Sequence, residues 1–252
     1  MIELFRDISL LNILLFSFSV TGTLLFVAYS VFILWSATGC RRGIKTGVCQ
    51  GIDGADREYP FISVIVAIRN EERALPGLLQ ALFGQDYPTD RFEVLISDDY
   101  SEDAGLPVIR SFLSNHPEFP LRLIVPEPGM VNDTGKKAAL TRAMHAVRGD
   151  IILCTDGDTR PAAGWISSMA VPFEDHEIMM ALGPVFYPEE GNFLRRIQAV
   201  EYLGVMGVTA GTAFRGFPVT ANGGNLAFRR HCFGESGGYS SEIGRASCRE
   251  RG

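Results

Sequence analysis

Two carboxylates stand two residues apart at Asp156-Gly157-Asp158, directly after the apolar run 151–155 (IILCT). Side chains alternate across a strand, so residues at this spacing emerge on one side. Two like charges that close repel unless something positive lies between them. Carboxylate oxygens suit Mg²⁺ or Mn²⁺, and magnesium typically takes one or two protein carboxylates and completes its shell with substrate phosphates. The pair therefore points to a metal-bridged diphosphate. An isolated D-x-D is more often a solvated acidic strand end, so the weight falls on what else the chain brings to the same place.

Three other clusters bear on that question. Asp98-Asp99-Tyr100-Ser101-Glu102-Asp103 follows an apolar run at 92–97. A carboxylate there can accept the imide N–H of a uracil or hydrogen-bond a ribose hydroxyl, while Ser101 or Asp103 can cap the next helix. Gly135-Lys136-Lys137 opens a helical stretch, and a lysine beside free backbone N–H groups at a helix start suits phosphate; a solvated lysine pair is the plain alternative. The glycines of Asn222-Gly223-Gly224-Asn225 allow either a close backbone approach to a ligand or a tight turn. The five cysteines (40, 49, 154, 232, 248) contain no C-x-x-C pair, and no two of the four histidines have ligand spacing. Neither set predicts a zinc site or a disulfide framework.

The elements that must position these residues alternate. Residues 61–68 (FISVIVAI) read as a strand buried on both faces. A helix is expected over 70–83, a strand over 92–97, a helix over 104–113 and a strand over 121–125. Next come a helix over 136–147 closed by Gly149, and a strand over 151–155. Farther on, 165–173 reads as a helix, 179–187 as a strand and 192–208 as an amphipathic stretch. Such alternation predicts a parallel α/β sheet covered on both sides, with ligands beyond the carboxyl ends of the strands. Arg69, Asn70 and Glu71 follow the first strand, Asp98 and Asp99 the second, Asp156 and Asp158 the fourth. Turn chemistry explains any one cluster; it explains their convergence on one edge less well.

Composition bounds the rest. The 252 residues carry a formal net charge of −6 with 21% charged and 46% hydrophobic residues, which excludes wholesale disorder and a broad nucleic-acid surface. Residues 8–40 contain no Asp, Glu, Lys or Arg. That run exceeds the roughly 20 apolar residues a spanning helix needs and the shorter core of a secretory signal. Arg41, Arg42 and Lys45 flank its far end, so the positive-inside rule puts the following domain in the cytosol. Ala37-Thr38-Gly39-Cys40 faintly resembles a lipoprotein cleavage site, but the apolar run is too long for one. The expected organisation is an anchor over 1–42, a linker over 43–59, a catalytic domain over 60–242 and a non-native tail over 243–252.

The stretches SVIVAIRNEE (63–72), ISDDYSED (96–103), GKKAAL (135–140), TDGDTRP (155–161) and NGGNLAFRR (222–230) resemble, in order and spacing, the family 2 glycosyltransferases. The resemblance implies a GT-A-type, Rossmann-like α/β nucleotide-diphospho-sugar transferase domain behind one N-terminal transmembrane helix. It implies inverting, hexosyltransferase-type transfer from a nucleoside diphosphate sugar, UDP-linked by preference, to a lipid or glycan acceptor at the cytoplasmic face of the inner membrane. By that likeness Ala67, Arg69, Asn70, Glu71, Asp98 and Asp99 hold the nucleoside end of the donor, with Lys136 and Asp156 at the phosphates. Asp156 and Asp158 position Mg²⁺ or Mn²⁺ on the diphosphate, Asp158 being the better candidate for direct ligation. The family's usual second motif is D-A-D, and Gly157 replaces the alanine. The amphipathic stretch corresponds to a region that borders the acceptor and often the membrane.

The sequence departs from the family after Gly237-Gly238-Tyr239, where no acidic pair follows to act as general base. Glu242 is the nearest candidate. The expectation is a truncated chain, with a donor-binding fragment of impaired catalysis as the alternative reading. An aspartyl phosphotransferase would place Thr or Val where Arg160 stands, and a nicotinamide-dependent enzyme would need G-x-G-x-x-G where Arg69 to Glu72 stand.

Overall fold

The computed structural model describes residues 2–45, 59–126, 134–186, 193–235 and 238; side chains of the first helix are described from Leu15, except at 42, 44 and 45. In chain order the elements are α1 (Ile2–Lys45), β1 (Ile62–Ile68), α2 (Leu75–Phe83), β2 (Phe92–Asp98), α3 (Gly105–Asn115), β3 (Leu121–Ile124), α4 (Lys136–Ala146), β4 (Ile151–Asp156), α5 (Trp165–Ala170), β5 (Met180–Leu182), α6 (Phe193–Ala213), β6 (Asn225–Arg229) and α7 (Arg230–Glu235). They fall into two compact units, Met1–Gly47 with Phe186–Thr220, and Val48–Val185 with Ala221–Gly252.

The larger unit is a six-stranded sheet in the order β3-β2-β1-β4-β6-β5. β1 to β4 run parallel. β6 is antiparallel to both β4 and β5, so the sheet as a whole is mixed. Alternate side chains of the central strands feed two cores, as a strand period of two requires. Val64 and Val66 of β1, Val94 and Ile96 of β2, and Leu153 of β4 pack with Leu75, Leu78, Leu79 and Leu82 of α2, Ile109 of α3 and Ile166 of α5. Ile65, Leu95, Ile152 and Cys154 face the other way and pack with Leu140 and Ala143 of α4 and with Phe228. The four α2 leucines are fully buried, each contributing on the order of 2 kcal/mol over exposure.

Several boundaries differ from the sequence reading for local reasons. The helix expected from residue 70 begins at Leu75, because Asn70 adopts φ 56° and the turn through Glu71 is closed by Ala74 N and Leu75 N donating to Glu71 O. α4 stops at Ala146, since Val147 turns extended (φ −68°, ψ 144°). α5 covers only Trp165–Ala170 and tightens into a 3₁₀ turn over Val171–Glu174, with Pro172 inside it. The strand expected over 179–187 is three residues long, and Tyr187 lies outside the described residues.

In the smaller unit, α1 is long and apolar enough over Leu15–Arg41 to cross a membrane, and none of its most apolar window is buried by protein. Its last turns cross α6 through small residues. A Cβ on Gly39 would strike the Gly211 carbonyl, and one on Gly211 would strike the Ser36 carbonyl. Gly43 lies at the same contact, where a Cβ would strike the Phe214 ring; small residues let the two helices approach closely. Cys40 Sγ donates to Gly207 O at 3.1 Å. Arg215 donates to Thr38 Oγ1 and lies 5.1 Å from the centre of the Trp35 ring.

Candidate active site

Strand order creates the site. From β1 the chain builds outward to β2 and β3 on one side, and β4 lies on the other. The neighbouring strands β1 and β4 thus form a topological switch point, where connections diverge and leave a crevice at the carboxyl ends. A cavity of about 430 Å³ opens there, lined by Ala67, Ile68, Arg69, Glu71, Asp99, Gly135, Lys136, Asp156, Gly157 and Asp158. Register sets Ala67 of β1 opposite Asp156 of β4.

Asp156 and Asp158 stand on a turn closed by local hydrogen bonds. Thr159 Oγ1 donates to Asp156 O at 2.8 Å and sits 2.8 Å from Thr155 Oγ1. Thr155 Oγ1 also lies 3.1 Å from Gly224 O, tying the turn to the 222–225 loop. Thr159 is thereby a turn-closing residue. Gly157 fits closely: a Cβ would come within 3.1 Å of Ile68 Cγ2 and 3.2 Å of Glu71 Cγ. Gly224 lies against the first carboxylate, where a Cβ would meet Asp156 Oδ2 at 3.0 Å. The 222–225 glycines form a tight turn, with Asn225 N donating to Asn222 O and Gly224 N to Asn222 Oδ1, and the turn lies against a protein carboxylate.

Lys136 forms an ion pair with Asp156 Oδ1. Its position is inherited from Asp99, whose Oδ1 accepts the Gly135 N–H at 2.7 Å. Asp99 is almost fully buried and also faces Arg69 Nη1 at 3.5 Å and Arg142 Nη2 at 3.9 Å. Arg142 donates to Asp98 O at 2.9 Å and approaches the Tyr100 ring, 6.0 Å from its centre.

The loops after β1 and β2 are laced together. Asn70 N donates to Ser101 Oγ, and Asn70 Oδ1 accepts from Glu102 N. Glu72 N donates to Asp103 Oδ2, and Glu72 Oε2 accepts from Ala104 N. Asn70 and Tyr100 both hold positive φ, 56° and 58°. For a tyrosine this costs on the order of 1–2 kcal/mol, which the lacing offsets. Ser101 and Asp103 thus serve the loop, Asp103 also accepting from Gly105 N at the start of α3.

Among the sequence candidates, Ala67, Arg69, Glu71, Asp99, Lys136, Asp156 and Asp158 share the cavity. Asn70 and Asp98 do not line it. Asn70 is spent on the loop lacing, and Asp98 is buried beneath it, accepting from Ser101 N. Gly237, Tyr239 and Glu242 lie outside the described residues. Arg142 was missed by the sequence reading. Its signal was available: it shares the sheet-facing side of α4 with Ala138, Ala139 and Ala143, and a charge on such a face must find a partner.

Burial, then the charges of Asp158, Asp103 and Asp156, push the Glu71 carboxyl above its ordinary value. The pocket therefore holds surplus negative charge. Two carboxylates on a fixed turn, hard oxygen donors throughout and a cavity with room for phosphates suit Mg²⁺ or Mn²⁺. Among the described residues no group of three or more His, Cys, Asp or Glu side chains is placed to hold a metal ion by itself.

The model of Glycosyl transferase family 2 matches residues 63–233. The chain belongs to glycosyl transferase family 2. Curated relatives of this family 2 chain include a beta-monoglucosyldiacylglycerol synthase of Synechocystis, 33% identical over 42% of this chain and 21% of that protein. The probable glycosyltransferase YdaM of Bacillus subtilis is 24% identical over 74% of this chain and 44% of its own length. The match thus spans less than half of either relative. Among solved structures, the fold is similar to a mannosyltransferase of Pyrobaculum calidifontis in complex with GDP-Man and Mn²⁺. The TM-score is 0.62 at 22% identity, covering 84% of this chain and 56% of that one. Staphylococcus aureus TarS 1-349 in complex with UDP-GlcNAc gives a TM-score of 0.50 at 19% identity, covering 70% and 47%. These likenesses establish the GT-A architecture.

Proposed function

We propose that this chain transfers a hexose from a nucleoside diphosphate sugar, UDP-linked by preference, to a lipid or glycan acceptor at the cytoplasmic face of a membrane. The observation that carries the reading is the single cavity at the β1/β4 switch point, which unites Asp156 and Asp158 with Lys136 and Asp99. Asp156 and Asp158 would hold Mg²⁺ or Mn²⁺, and the ion, when bound, stabilises negative charge developing on the departing diphosphate. Lys136 brings a mobile ammonium to the phosphates. Asp99 and Arg69 form the wall for the nucleoside, with Asp99 oriented by the Gly135 N–H. The apolar α1 keeps this chemistry at the bilayer, and Arg41, Arg42 and Lys45 set the following domain on the cytoplasmic side.

The test is sugar transfer and donor hydrolysis by the membrane-embedded chain with UDP- and GDP-sugars, each with and without Mn²⁺. Metal-dependent consumption of one donor class is expected. Metal-dependent binding without turnover would leave a donor-binding chain, the narrower reading. Absence of nucleotide binding in either state would overturn both.

A further inference from the structure

We infer that Lys136 is an exchangeable counter-ion: it holds Asp156 until a divalent ion takes that carboxylate, and is thereby released toward the donor's diphosphate. This rests on the metal–diphosphate reading of the cavity and adds to it how metal and donor are coupled.

Asp156 is approached from two sides. Gly224 lies against the Oδ2 side, where an added Cβ would sit 3.0 Å from that oxygen. Lys136 Nζ occupies the Oδ1 side, and both residues line the cavity. A cation arriving through the cavity meets a carboxylate that already carries an ammonium on Oδ1. Two cations on one carboxylate repel, so the incoming ion displaces the lysine or fails to bind. The pair is built to let go. Lys136 is 55% exposed and Asp156 36%, and ion pairs this open to water are weakly held.

The root of the lysine, by contrast, is fixed. Lys136 is the first residue of α4, and the preceding Gly135 N–H is clamped at 2.7 Å by the buried Asp99. Release frees only the flexible four-carbon stem, so the ammonium stays within the cavity. Diphosphate oxygens are the anions it would meet there. Donor binding draws Lys136 off Asp156 and favours the metal; metal binding releases Lys136 and favours the donor. The coupling is reciprocal, as linkage demands, and needs one side chain to turn.

The experiment titrates Mn²⁺ into the full chain in detergent, reading free Mn²⁺ by electron paramagnetic resonance, with and without uridine diphosphate. The wild type is compared with Lys136→Met, Lys137→Met and Asp158→Ala, and thermal melts confirm that each folds. For Lys136→Met we expect Mn²⁺ alone to bind about two- to fivefold more tightly than to wild type. Uridine diphosphate, expected to tighten Mn²⁺ on the wild type by about tenfold, loses most of that effect in the variant. Lys137→Met removes the same charge one residue away and leaves Mn²⁺ affinity unchanged. Unchanged or weaker Mn²⁺ binding by Lys136→Met overturns the exchange, as does an equal gain in Lys137→Met, which would reveal a general field. If the wild type with uridine diphosphate takes up no more Mn²⁺ than Asp158→Ala, the metal reading itself falls, and the exchange with it.

Discussion

Carboxylates sit at both ends of the same sheet, and their surroundings are opposite. At the amino edge, Glu93 of β2 is fully buried and lies in register with Ser63 of β1. Its oxygens accept from Ser63 Oγ at 2.6 Å, Arg148 N at 2.7 Å, Arg148 Nε at 2.9 Å and Arg122 Nη2 at 2.8 Å. Burial pushes this carboxyl up, but the bonds from Ser63 and Arg148 and the Arg122 charge outweigh burial and hold it below its ordinary value. At the carboxyl edge, Glu71 stands among Asp158, Asp103 and Asp156 and is pushed up. One end is electrostatically complete; the other has more negative charge than its own residues neutralise. A complete cluster staples strands together. An incomplete one is stable at a functional site because something else completes it.

The largest expected effect lies at the incomplete end. Asp158→Ala should reduce metal-dependent donor binding by on the order of 100-fold, at the upper end of losses seen for merely supporting residues, while the melting temperature stays put. Calorimetric titration of nucleotide with Mn²⁺ checks both halves, and unchanged affinity would erase the contrast between the two edges. Next comes Glu93→Ala, which should cost about 2–3 kcal/mol of stability through its charge-assisted hydrogen bonds. Both arginines are partly exposed and can turn to water, which keeps the loss from growing further. Urea unfolding measures it, and donor affinity should be spared.

Acid sensitivity separates the edges by sign. The Glu93 contribution is complete above its unfolded value of about 4.5 and drains away as pH falls through the lowered folded value. Glu71 acts in reverse: its cost to folding is absent below about 4.5 and grows as pH rises toward its raised value. Glu93→Gln should therefore flatten the acid limb of the stability profile, and Glu71→Gln should stabilise at neutral pH. Matching profiles for the two variants would show that the edges do not differ as described. The smallest effect is expected from Gly224→Ala, whose methyl would press on Asp156 Oδ2. We expect a few-fold weaker Mn²⁺ binding with little change in stability, since neighbours need yield only tenths of an ångström.

Much of the carboxyl edge was legible because it is written locally. Three of the four parallel strands run directly into residues that line the cavity: Ile68 before Arg69, Asp98 before Asp99, Asp156 before Gly157. The amino edge was not legible. Glu93 looks like an ordinary polar residue in a strand, and its partners Ser63, Arg122 and Arg148 come from three distant segments. The 225–229 stretch shows the same limit. The turn signal at 222–225 was readable, but nothing after it marked the strand β6, wedged between β4 and β5 and running against both.

Periodicity and composition determined the alternating α/β plan, the apolar first helix and the acidic strand ends, because each depends on neighbours within a few residues. Folding in three dimensions decided that Asp99 rather than Asp98 faces the cavity, that Gly224 lies against one oxygen of Asp156 and that Lys136 pairs with the other. Those outcomes turn on residues 20 to nearly 70 positions apart along the chain meeting at hydrogen-bond range, and no local pattern encodes which long-range pairs will meet.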